Sequence, residues 1–334
     1  MSRVNPRDEI IRVEDITKYF ITERPLLDKL LSRREPTFIR AVDGVTFSIY
    51  KGETFGLVGE TGSGKTTMGR MTLRLIEPTS GNIFFNGQNL IDFNNAQMKT
   101  FRQEARIVFQ DPFASLNPRM TVSQILQLPL NVVGKYTKEE SEEMVLDIME
   151  RVGLQPASEY VHRHPHEFSG GQRQRIGIAR AIISNPRYIV ADEPVTSLDV
   201  SIRAQILNLL EELKDSLNLT YLLIAHDLTI IRHMSTRVMV MYLGKPMELA
   251  PVERLFESPL HPYTQALLSS VPAADPDVHL NRIKLKGEIP SAINPPKGCR
   301  FHTRCPHVRS DCKSNEPLFE EIEKGHFVAC RYLR

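Results

Sequence analysis

The chain has 334 residues, 41% hydrophobic and 25% charged, with 42 Lys plus Arg against 40 Asp plus Glu, for a net charge of +2. This ordinary globular composition excludes a disordered chain. The near-balance of charge excludes the strong positive field of a dedicated nucleic-acid binder. At roughly 150 residues per domain, the length suggests two domains, or one large domain with an appendage. No apolar run approaches the ~18–20 residues needed to cross a bilayer. The opening MSRVNPRDEI is charged, contains Pro, and does not read as a secretory signal. Association with a membrane is therefore expected only through a partner.

In chain order, residues 22–37 (TERPLLDKLLSRREPT) read as a surface insertion. Thr54–Val58 (TFGLV) is an apolar run of strand length, followed by a Gly-rich turn and a helical pattern from Lys65 to about Glu77. Asn82–Phe85 and Ile107–Phe109 are further strand candidates. Residues 111–183 contain no convincing strand. Within them, Lys138–Val152 is expected to be a helix with Met144, Val145, Ile148, Met149 and Val152 on one face. Tyr188–Ala191 and Tyr221–Ala225 are apolar strands that stop at a charged or His residue. Between them lies a long helix with Ile202, Ile206, Leu209, Leu210, Leu213 and Leu217 on its apolar face. Strands alternating with helices predict a mostly parallel α/β core. Val238–Leu249 reads as a hairpin turning near Gly244 and Lys245. Beyond Pro251, the prolines at 259, 262, 272, 276, 290, 295 and 296 predict a loop-rich tail.

Gly59-Glu60-Thr61-Gly62-Ser63-Gly64-Lys65-Thr66-Thr67 fits G-x-x-x-x-G-K-[ST] between a strand and a helix. Glycines at 59, 62 and 64 let the backbone curl so that several N–H groups face an anion. The following helix adds the positive end of its dipole. Lys65 is expected at the β- and γ-phosphates and the Thr66 hydroxyl on Mg²⁺. Tyr188-Ile-Val-Ala-Asp192-Glu193 then presents two carboxylates at a strand end. Asp192 is suited to the Mg²⁺ shell. Glu193 is ionised at neutral pH and suited to take a proton from an attacking water.

Phe168-Ser169-Gly170-Gly171-Gln172 resembles the signature motif of the ATP-binding cassette (ABC) ATPases, usually LSGGQ, with Phe168 in place of Leu. Ser169 is a good helix N-cap, so the motif is also a second anion-facing helix end. The resemblance implies a P-loop, RecA-like α/β core with an antiparallel β subdomain and a helical subdomain. It also implies two cassettes packed head to tail, each P-loop facing the other's signature. Carried over by position, Gln110 resembles the glutamine that contacts Mg²⁺ or water. Ser197-Leu198-Asp199 resembles the D-loop, which communicates across the dimer. His226 resembles the switch histidine near the γ-phosphate. Phe20 resembles the aromatic that stacks on adenine, with Tyr19 as its competitor. His162, His164 and His166 read as a loop and not as a metal set.

The stretch Phe109–Pro118 (FQDPFASLNP) and His261–Leu268 (HPYTQALL) narrow the resemblance to the dipeptide/oligopeptide importer ATPases, most like the second, F-type, of the pair. That family implies a heterodimer of ATPases at the cytoplasmic face of the cell membrane, bound peripherally to two transmembrane permeases. An extracytoplasmic peptide-binding protein acts through the permeases. Nickel and oligosaccharide importers share this sequence type and keep the cargo open. A DNA-maintenance ATPase on the same cassette is disfavoured because 70–168 holds no sustained heptad run, and a translation-type one because the chain has a single P-loop. The boundaries expected are 1–110 with 184–250 for the core, 111–183 for the helical subdomain, and 251–334 for the C-terminal extension.

All four cysteines lie late in the chain, as C-x5-C-x6-C-x17-C at Cys299, Cys305, Cys312 and Cys330. Their clustering reads as a local site and not a disulfide framework. Structural zinc favours tighter C-x2–4-C pairs. A [4Fe–4S] cluster takes four thiolates and tolerates wider spacing. The peptide-importer resemblance implies the cluster, with Zn²⁺ or free thiols as alternatives. Arg300, Arg304, Arg309 and Arg331 lie beside these cysteines and are expected to offset cluster charge.

Overall fold

The computed structural model describes residues 8–21, 37–271 and 282–332. The insertion expected over 22–37 lies outside them except for Thr37, as do Pro272 and Pro276. The twelve strands among the described residues are β1 (Glu9–Ile21), β2 (Phe38–Tyr50), β3 (Thr54–Val58), β4 (Ser80–Phe85), β5 (Gln88–Asn89), β6 (Ala105–Val108), β7 (Tyr188–Asp192), β8 (Thr220–Ala225), β9 (Arg237–Tyr242), β10 (Lys245–Pro251), β11 (Glu320–Glu323) and β12 (His326–Val328). The chain divides into two units. One comprises 1–10, 49–54 and 89–224; the other comprises 11–48, 55–88 and 225–334.

In the first unit, β6, β7 and β8 lie side by side in parallel. All of β7 and β8 is buried, because a parallel strand covered on both faces needs an unbroken apolar run. Around them stand helices Asn95–Glu104, Val122–Val133, Lys138–Arg151, Gly170–Ile182 and Val200–Leu217, and no strand interrupts 111–183. Four of these helices start with a reciprocal capping box, at Asn94/Gln97, Thr121/Gln124, Thr137/Glu140 and Ser169/Gln172, each satisfying two otherwise open backbone N–H groups. In Val200–Leu217 the buried face is Ile206, Leu207, Leu209, Leu210 and Leu213; Ile202 and Leu217 are only half-buried.

In the second unit, β3 pairs in parallel with β9, and β9 forms an antiparallel hairpin with β10 through the turn at Leu243 and Gly244. The hairpin β11–β12 adds to β10 in antiparallel fashion. A separate sheet runs β2-β1-β4-β5, with β1 antiparallel to β4. The helix after the P-loop is Lys65–Thr72, shorter than expected. Arg74 takes a left-handed φ of 47° and its N–H bonds to Met71 O, which ends the helix before Glu77. The tail is also more regular than its prolines suggest. Val252–Glu257 and Pro262–Leu268 are helical, the latter with Pro262 in its first turn, where a missing N–H costs nothing. No helix among the described residues is long and apolar enough to cross a membrane.

Candidate nucleotide site and family

The P-loop leaves β3 at a glycine that nothing larger can replace. Gly59 has φ 156°, and a Cβ there would stand 2.2 Å from Met241 O; at Gly64 it would stand 2.2 Å from Ala41 O. The loop is therefore pinned against its own unit and can close only with bare backbone. Lys65 is buried at 5% exposure. Its ammonium donates to Gly59 O at 2.7 Å, Glu60 O at 3.0 Å and Ser63 Oγ at 3.3 Å. These neutral acceptors arch the loop around the cation, and Thr66 and Thr67 follow, half-buried, in the first helical turn.

At the end of β7, Asp192 is buried and Glu193 turns the chain with a left-handed φ of 48°. Its N–H donates to Ile224 O at 3.0 Å. This uncommon conformation for a non-glycine residue brings the carboxylate to two donors. Gln110 Nε2 and Thr196 Oγ1 each donate to Glu193 Oε2 at 3.0 Å. The amide of Gln110 is thereby oriented, leaving its carbonyl oxygen as a donor atom for a cation. Sequence reasoning missed Thr196, although its place three residues after Glu193 was a readable signal.

The signature segment lies in the same unit. Ser169 caps Gly170–Ile182 by accepting from the Gln172 N–H, and Gln172 accepts from the Ser169 N–H in return. Ser169 itself is exposed. Phe168 is buried against Tyr160, so the departure from Leu faces the interior. A Cβ on Gly171 would stand 2.6 Å from Ile202 Cγ2, so the glycine lets the helix after Asp199 approach the signature helix. Arg203 Nε donates to Leu198 O at 2.7 Å and braces the Ser197–Asp199 turn. His164 and His166 stack on each other in the loop before the signature.

Phe20 and His226 belong to the unit that carries the P-loop. His226 is exposed immediately after β8, and Asp227 caps the next helix. The competing Tyr19 is held: its hydroxyl donates to Asp43 Oδ1 at 2.6 Å, and Arg40 lies over its ring at 5.6 Å. Phe20 is half-exposed, with Lys18 Nζ 5.1 Å from its ring centre.

This geometry has a counterpart in known proteins. The family model described as ABC transporter matches residues 42–196, the span that holds the P-loop, the signature and Asp192-Glu193. The chain is 53% identical over 327 residues to the oligopeptide transport ATP-binding protein AppF of Bacillus subtilis, covering 97% of each chain. This chain belongs to the ABC transporter ATPases. A second model, for the C-terminal region of oligopeptide/dipeptide transporters, matches residues 247–312 of the ATPase. The dipeptide transport ATP-binding protein DppF of Haemophilus influenzae is 43% identical over 332 residues, covering 99% of each chain. Among solved structures, the ATPase is similar to the cassette MJ0796, seen as a dimer in a post-hydrolysis state bound to ADP and Pi. The identity is 27% and the TM-score 0.62, over 73% of this chain and 99% of that one.

In the tail of the ATPase, Cys299, Cys305, Cys312 and Cys330 all line one cavity of about 160 Å³. They are free thiols. Among the described residues, no three His, Cys, Asp or Glu side chains are gathered to hold a single metal ion. Burial, with the neighbouring cysteines, pushes the Cys299 thiol up to about 11, and burial raises Cys305 as well. Burial favours the protonated form of these thiols. Of the four arginines expected to offset cluster charge, two are engaged elsewhere: Arg300 pairs with Asp43 and Arg304 with Glu60. Arg309 and Arg331 do line the cavity.

Proposed function

We propose that this ATPase powers the import of dipeptides and oligopeptides, as one of two homologous cassettes under two membrane-spanning permeases at the cytoplasmic face. The peptides reach the permeases from an extracytoplasmic binding protein. The observation that carries the cargo is the C-terminal extension: residues 247–312, beyond the cassette match over 42–196, match the oligopeptide/dipeptide transporter region. The names borne by relatives that span nearly the whole chain support the same cargo over nickel or oligosaccharides. The dimeric MJ0796 cassette supports pairing. So does Val200, an apolar residue left 80% exposed directly after Asp199. Deleting the gene should abolish uptake of labelled peptides while nickel and oligosaccharide uptake stay normal; loss of either other cargo with peptide uptake intact would refute the assignment.

The chemistry assigned to each group follows from its surroundings. Lys65 and the loop N–H groups of 59–67 bind the β- and γ-phosphates, and Phe20 stacks on the adenine, worth roughly 1–3 kcal/mol. Thr66, Asp192 and the Gln110 carbonyl are oxygen donors suited to a hard cation, so they fit Mg²⁺. When bound, Mg²⁺ neutralises charge developing on the phosphates. Glu193, held by Gln110 and Thr196, accepts the proton of the water that attacks the γ-phosphorus. His226 senses the γ-phosphate. Ser169, Gly170, Gly171 and Gln172 present a helix N-terminus to the nucleotide bound by the partner cassette, and Asp199 relays closure across the interface.

The four cavity thiols fit a [4Fe–4S] cluster by number and by donor chemistry. Such a cluster would tie the turns around Cys299, Cys305 and Cys312 to the chain that follows β12 at Cys330. Anaerobically purified protein should be brown and carry about four irons per chain. Colourless protein with one zinc, or with neither metal, would contradict the cluster.

A further inference from the structure

The segment from Cys299 to Cys305 reaches back to the phosphate loop. Arg304 Nη1 donates to Glu60 Oε2 at 2.6 Å, and its Nη2 donates to Oε1 at 3.1 Å. The pair is two-pronged and charge-assisted, the stronger class of hydrogen bond. It joins residues 244 positions apart, with side chains only 9% and 23% exposed. The same guanidinium donates to the Tyr242 hydroxyl at 3.4 Å. Glu60 is also held through its backbone, because its N–H donates to the Tyr263 hydroxyl at 2.9 Å. Phe301, fully buried, packs its ring against Tyr242, Tyr263 and His261 and anchors the segment.

Glu60 is a poor choice for an anion cradle. It follows Gly59 directly, its own carbonyl accepts from Lys65 Nζ, and its carboxylate brings negative charge to a loop whose task is to hold a triphosphate. Left alone, that charge would oppose the ligand, because like charges in a partly dehydrated site repel far more than in water. Arg304 removes the conflict by neutralising the carboxylate and by fixing it toward the tail. On the other side of Phe301, Arg300 pairs with Asp43, which accepts the Tyr19 hydroxyl beside Phe20. Both arginines of this short segment therefore act on walls of the candidate nucleotide site.

We propose that Arg304 is a positioning residue for ATP binding: by pairing with Glu60 it neutralises and turns aside a carboxylate within the phosphate loop, so that the C-terminal extension takes part in setting nucleotide affinity. This rests on the reading of Gly59–Thr67 as the ATP cradle.

The test is titration of the full chain with a fluorescent MgATP analogue, with thermal melting run in parallel. Arg304→Gln should weaken binding about tenfold. Glu60→Gln alone leaves no uncompensated carboxylate in the loop and should therefore lose clearly less affinity than Arg304→Gln. The double variant should recover most of the loss suffered by Arg304→Gln. Arg304→Lys keeps the positive charge and should bind nearly as the parent does, which guards against a variant that simply misfolds. The proposal is overturned if Arg304→Gln binds normally, or if the double variant is as weak as Arg304→Gln, because the pair would then only dock the tail. Lys65→Ala serves as the control: unchanged affinity there removes the cradle reading itself, whereas loss there with normal binding by Arg304→Gln removes only the role of Arg304.

Discussion

Glu193→Gln should bind MgATP as the parent does and hydrolyse it roughly 10²–10⁴-fold more slowly, the usual contribution of a positioned general base. The substitution is nearly isosteric, so Gln110 and Thr196 can still donate to the remaining oxygen, and the left-handed turn at residue 193 is kept. What disappears is the second carboxylate oxygen and its negative charge, the only feature of the side chain able to take a proton from water. Binding and turnover should therefore separate cleanly. Phosphate release under single-turnover conditions, beside equilibrium nucleotide binding, measures both. Hydrolysis within a few-fold of the parent would move the base elsewhere.

Lys65→Ala should lower nucleotide affinity roughly 10²-fold, because removing one partner of a partly dehydrated charge pair costs about 3 kcal/mol. The effect has two sources. The triphosphate loses its buried cation, and the loop loses the centre on which Gly59 O, Glu60 O and Ser63 Oγ converge. The glycine contacts with Met241 and Ala41 remain, so the loop should keep its course even as its affinity falls. Equilibrium titration checks this directly, and an unchanged dissociation constant would contradict the assignment.

The parts of this site that read well from sequence are those written in contiguous residues. The P-loop carries its glycines, lysine and threonine within nine positions. The Ser169–Gln172 capping box is a local pattern that serves the helix whatever else it does. The buried strand before Asp192 is marked by its apolar run. The parts that did not read depend on tertiary contact or on backbone conformation. Nothing in the residues before Glu193 announces a left-handed φ, and the helix after Lys65 looked longer because its pattern runs on past Arg74, where the backbone turns instead. The strands β11 and β12 carry too few apolar residues to stand out, since they owe their order to pairing, β12 with β10 and β11 with β12. Phe20 and Tyr19 are neighbours on one strand, and the Asp43 and Arg40 contacts that distinguish the surroundings of Tyr19 are tertiary. The bond between Glu60 and Arg304 had no signal at all, and it redirected an arginine that sequence had placed beside the cysteines.

The central claim is that each ATP is held by the phosphate loop of one cassette and the signature helix of its partner. Its most direct test is the structure of the complete transporter assembled with the Glu193→Gln ATPase and trapped with MgATP. The account predicts that the nucleotide held by Lys65 also touches the partner's signature motif, while Ser169 of this chain contacts the nucleotide held by the partner. Nucleotide enclosed by one cassette alone, with Ser169 facing solvent, would contradict it.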